Sequence, residues 1–131
     1  MNLDQAFTEA YVAERLCDVL RKEGYELFEY KKQLRKDISL GFQNLIYAVS
    51  AYQDTVIIEF YFGIRVHAVE NVAGNFTRTL PGWRPDAHTV ILSEGKLENK
   101  TFLRHHAAST DELDRVLDHI LRFWEDKGRT F

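Results

Sequence analysis

Trp83, Arg84, Asp86 and His88 gather an aromatic plate, a forked hydrogen-bond donor, a carboxylate and an imidazole within six residues, on a loop that contains Pro81 and Pro85. Binding residues often sit on stiffened loops, so these four are the candidate binding residues. The plainer reading has Trp83 pinning the loop to the core, with Arg84 and Asp86 solvated or paired locally. The prolines restrict the backbone under either reading, so stiffness does not decide between them.

Five histidines, His67, His88, His105, His106 and His119, raise the question of a metal. Zinc or iron ligands would be expected at helical i, i+4 spacing or on one face of adjacent strands. His105 and His106 are neighbours on an expected strand, so their side chains point to opposite faces and cannot share one ion. One of them could meet His88 across a strand pair, but no third ligand stands out. His119 lies among Arg115, Asp118 and Arg122 on an expected helix and reads as solvent-facing. No metal and no cofactor is therefore expected.

Nucleophilic catalysis needs a Ser, Cys or Thr beside a base and an oxyanion-binding turn. The chain has no Gly-x-Ser-x-Gly elbow, and Cys17 falls on the apolar stripe of a helix. The seven glycines are scattered singly, with neither Gly-x-Gly-x-x-Gly nor a Walker pattern. Twenty acids can always supply some carboxylate pair, so that possibility has no weight. No catalytic residue is assigned. Lys31, Lys32, Arg35 and Lys36, beside Tyr30, form the one basic run able to meet a phosphate backbone. Glu26, Glu29 and Asp37 flank it, and lysines also protect edge strands from aggregation. Nucleic acid is not an expected partner.

The elements that must position these residues follow from periodicity. Leu3, Phe7, Ala10, Ala13, Cys17 and Leu20, with Ala6 and Leu16, form the stripe of an amphipathic helix that Gly24 stops. From Tyr25 to Val66 the period becomes two, giving four strands with separators at 33–36, 41–44 and Gln53-Asp54. Separators this short exclude crossover helices, so the strands should form an antiparallel meander. Val69, Val72, Ala73 and Phe76 mark a short helix from His67 to Phe76. Thr89–Ser93 and Thr101–His105 read as two more strands around a turn at Glu94-Gly95-Lys96. Ser109 and Glu112 fit a capping box, and Leu113, Val116, Leu117, Ile120, Phe123 and Trp124 make the buried stripe of a last helix that Gly128 ends. Asp111 with Arg115 and Asp118 with Arg122 stand at i, i+4 on its outer face.

The expected fold is α+β: a single domain over residues 1–131, with about six antiparallel strands and the N-terminal, middle and C-terminal helices on one face. The length of 131 residues and 45% hydrophobic content suit one core. Seventeen Lys and Arg against twenty Asp and Glu give a net charge of −3, which removes any global attraction to nucleic acid or anionic lipid. One cysteine cannot form an intramolecular disulfide and suits a reducing cytoplasm. The N-terminus does not read as a secretion signal, and Gln53, Asp54, Glu59 and Arg65 interrupt the most apolar region, so no membrane span is expected.

The segment Arg21-Lys22-Glu23-Gly24-Tyr25, followed by strands and later Gly63-Ile64-Arg65-Val66, resembles in layout small bacterial domains of unknown function that place a helix before an antiparallel sheet. This resemblance implies the fold and transfers no activity. The leading expectation is a non-enzymatic cytoplasmic interaction module, of immunity or inhibitor type, using the Pro81–Pro85 loop against a protein partner or, less favoured, a small-molecule ligand. The alternatives are a small hydrolase or metal-dependent enzyme around His88, Asp86 and His105 or His106, and a structural homodimer.

Overall fold

A computed structural model describes residues 3–73, 88, 90–97 and 103–126. Helix α1 (Gln5–Leu20) starts at Asp4, whose side chain accepts a hydrogen bond from the Phe7 amide. A single 3-10 turn, Arg21–Glu23, leads to Gly24, whose φ of 93° lies in the left-handed region open to glycine. The buried face of α1 is Thr8, Val12, Ala13, Leu16, Cys17 and Leu20. Phe7 and Ala10, expected in that stripe, are exposed, and Phe7 instead lies against Tyr11. The first turn buries Thr8 in their place, with Leu3 ahead of the helix in the core.

Strands β1 (Glu26–Phe28), β2 (Gln33–Ile38), β3 (Gly41–Tyr52) and β4 (Thr55–Val66) form the expected antiparallel meander. Two of its separators are displaced from where they were expected. Residues 33–36 lie inside β2, with Leu34 facing the core and Gln33 and Arg35 facing away from the helices. The turn before β2 is instead Glu29–Lys31, closed by Lys32 at φ 55°. Residues 41–44 begin β3, because Gly41 marks a close approach of two backbones: a Cβ there would lie 1.8 Å from the Arg65 carbonyl oxygen. The third separator, Gln53-Asp54, joins β3 to β4 as a two-residue hairpin.

Helix α2 (His67–Ala73) follows β4, and its expected apolar residues Val69 and Val72 are exposed. Strand β5 (Val90–Ser93) pairs with β4 at residues 61–64. The chain then makes one helical turn, α3 (Glu94–Leu97), where a plain turn was expected. Strand β6 is His105–Ala107, shifted toward the C-terminus from the expected Thr101–His105, and it pairs with β4 at residues 56–58. Thr101 lies outside the described residues. Helix α4 (Thr110–Asp126) buries the expected six apolar residues. The Glu112 amide donates to Ser109 Oγ, and Glu112 Oε2 accepts from the Ala108 amide, one residue earlier than in a standard capping box. Asp118 approaches Arg15 of α1, which also pairs with Asp114. Gly128 lies outside the described residues.

The result is one α+β domain, a six-stranded antiparallel sheet with α1 and α4 packed on one face. Leu34, Leu45, Tyr47, Val49, Val56, Ile58, Phe60 and Phe62 line that face beneath the two helices. Tyr47 is buried with no hydrogen-bond partner for its hydroxyl, and burial, with Glu9 and Glu29 nearby, pushes the phenol up to about 12. The opposite face is polar and buried around Gln33 and Asn44, while Ala48, Ser50 and His106 further along it are exposed. No helix among the described residues is long and apolar enough to cross a membrane.

Candidate metal centre

Of the four residues expected to form a binding loop, Trp83, Arg84 and Asp86 lie outside the described residues. His88 lies over the sheet face opposite the helices. Strand pairing sets Arg35, Asn44 and Gly63 side by side across β2, β3 and β4 on that face. His88 Nε2 sits 2.8 Å from Asn44 Nδ2 and 3.1 Å from Asn44 Oδ1, so Asn44 offers a partner to either tautomer. Asn44 Nδ2 also donates to Gln33 Oε1 at 2.7 Å, and that oxygen accepts from Nε and Nη2 of Arg35. The Arg35 guanidinium lies 3.9 Å from the centre of the Phe42 ring, whose plane meets the His88 ring edge-on. His88 therefore anchors chain to sheet, and it does not meet His105 or His106.

Gly63 makes this anchor possible. A Cβ at Gly63 would lie 2.4 Å from Asn44 Oδ1 and 2.4 Å from His88 Cδ2. Gly63→Ala is expected to lift the His88 ring off Asn44 and to cost about 1–3 kcal/mol, the usual range for overpacking. Chemical denaturation reads the cost, and the loss of the Phe42 ring-current shift on the His88 ring protons reads the displacement.

His105 and His119 come together elsewhere, on the helix side of the sheet, around a residue read as part of a turn. Register sets His105 opposite Ile58, and so on the core face, while His106 opposes Ile57 on the other. Helical phase puts His119 beside the buried stripe of α4. Glu94 opens α3 immediately after β5, and its side chain is only 1% exposed. His105 Nε2 lies 2.8 Å from Glu94 Oε1, and His119 Nε2 lies 3.1 Å from Glu94 Oε2. The imidazole rings are 5.3 Å apart, and the Phe60 ring lies 5.8 Å from that of His105.

A carboxylate this buried is costly unless its lone pairs are used. Oε1 has His105, but among the described residues Oε2 has no aligned hydrogen-bond donor, His119 Nε2 lying near it without the direction of a hydrogen bond. One ligand atom from each of the three residues lies within 4.8 Å of the others. Tetrahedral zinc with bonds of about 2.0–2.1 Å sets its donors about 3.4 Å apart. The observed 2.8 and 3.1 Å run to different oxygens of the carboxylate, and the three donor atoms lie within 4.8 Å of one another, so the rings would turn to bring all three onto one ion. Among the described residues these are the three positioned to hold a metal.

No family model, curated protein or solved structure matches the chain.

The site therefore rests on geometry alone. Sequence reasoning missed it because Glu94, His105 and His119 come from three elements separated by eleven and fourteen residues, with no motif spacing. His119 is solvent-facing as expected, at 44% exposed, and its ring also reaches the buried carboxylate, which its sequence neighbours do not show. The one legible signal was strand alternation, which put His105 and His106 on opposite faces.

Proposed function

We propose that this domain binds one divalent transition-metal ion, zinc by preference, through Glu94, His105 and His119. The observation that carries the reading is the buried Glu94 carboxylate, with one oxygen lacking an aligned donor and two imidazole nitrogens converging on it. Two imidazoles and a carboxylate suit zinc and also ferrous iron. Intrinsic affinity at nitrogen and oxygen ligands ranks zinc above iron, which favours zinc.

This reading moves the metal-dependent alternative from His88 and Asp86 to a different set, keeping only His105. The interaction-module reading keeps one described residue, His88, which Asn44 holds against the sheet. Stripped of metal, loaded with zinc and dialysed, the protein is expected to retain one zinc per chain by elemental analysis, and His105→Ala to retain none. A wild-type chain that retains no zinc, or a His105→Ala variant that retains as much, would remove the reading.

A further inference from the structure

Resting on that metal-binding reading, we infer that the centre is open on its solvent side and takes a small oxyanion, a carboxylate or phosphate group, as an exchangeable ligand.

Exposure across the three side chains is graded, from 1% at Glu94 through 12% at His105 to 44% at His119. The protein thus encloses the ion from the Glu94 side and leaves the His119 side toward water. Among the described residues three side chains are placed to be ligands, which matches the zinc sites that keep a water at a fourth position, whereas structural sites are closed by four.

The α4 surface beside that opening carries Arg115 and Arg122, with Asp111 and Asp118 on the same outer face. Arg115 stands four residues before His119 and Arg122 three after it, so all three share one stripe of α4, and all three are exposed. Asp118, the acid next to His119, approaches Arg15 across the α1–α4 contact at 3.7 Å. A divalent ion held by one carboxylate carries a net positive charge, and the two arginines add to it. Together they draw an anion to the open position, and an anionic oxygen is a good donor to zinc.

Cobalt(II) serves as the probe, because its visible d–d bands report coordination directly. Acetate and inorganic phosphate are titrated separately into the cobalt-loaded full chain at constant ionic strength, and the ratio of their half-saturation points tells which oxyanion the site prefers. The bands are expected to shift and saturate with at least one anion. In the Arg115→Ala, Arg122→Ala double variant, half-saturation should need about fivefold more anion, as two exposed charge interactions imply, while cobalt still binds one to one and no more weakly. Cobalt bound one to one with bands that neither anion moves would overturn the inference and leave the metal reading standing. Failure of the wild type to bind cobalt at all would overturn both. A double variant that binds anion as the wild type does would overturn the role given to the arginines.

Discussion

Adding zinc to the metal-free protein is expected to raise its melting temperature by about 10 °C once free zinc stands at about a hundred times the dissociation constant. A ligand that binds only the native state stabilises it by about 2.7 kcal/mol at that ratio. At about 2.1 cal/mol/K per residue, a chain of this length has an unfolding entropy of about 0.28 kcal/mol/K, and the quotient gives the shift. The three ligands come from α3, β6 and α4, which meet only in the folded chain. The unfolded chain therefore competes poorly for the ion. Differential scanning calorimetry with and without a chelator measures the increment. Glu94→Gln keeps the shape of the buried side chain and removes its charge, so it should abolish most of the increment. His119→Ala should do the same with less effect on the metal-free protein, because its ring is nearly half exposed. An increment that survives both substitutions would place the zinc elsewhere.

The parts of this molecule that were legible in the sequence are those where one periodic signal dominates. Helix α4 is the clearest case, since its six apolar positions all face the core and Ser109 and Glu112 fix its start. The β3–β4 hairpin was legible for the same reason, as alternation runs unbroken through β4 to a two-residue turn. Legibility failed where polar residues sit inside strands. Gln33 and Arg35 look like a separator, yet they belong to a face where side chains satisfy one another through Asn44 and His88. Gly41 looks like a turn residue, yet it is required by the approach of the Arg65 backbone from β4. Both features depend on a neighbouring strand, which local reading does not contain. The candidate centre failed to show for a related reason. Its residues are ordinary one by one, and their convergence depends on β5 and β6 both pairing with β4, so that Glu94 and His105 return to the same edge under α4. Charge pattern placed His119 on the exposed face, where it lies, and gave no sign of the buried carboxylate 3.1 Å from its ring.

Phe62→Ala separates the scaffold from the centre and has the largest expected cost. Phe62 is 1% exposed on β4, opposite Leu45 on one side and Leu92 on the other. Its ring stacks on Trp124 at 5.9 Å with planes 12° apart, and meets Phe123 at 5.4 Å. Trp124 is held in turn by Glu23, which accepts from its indole Nε1–H. Truncating a buried phenylalanine costs about 3–5 kcal/mol through lost transfer energy and the cavity left behind. The melting temperature should fall by about 10–20 °C. Denaturant unfolding should show a lower midpoint at an unchanged slope, since the surface exposed on unfolding is nearly the same. Phe62 supplies no metal ligand, so the native chains that remain keep the centre, and zinc should still add its full increment. Glu94→Gln should behave in the opposite way, with a melting temperature near that of the metal-free wild type and no response to zinc. That crossed pattern would assign stability to the aromatic packing of β4 against α4, and metal binding to the three side chains beside it. A Phe62→Ala cost below about 1 kcal/mol would mean that α4 is not held by this stack, and the position of His119 would then need another cause.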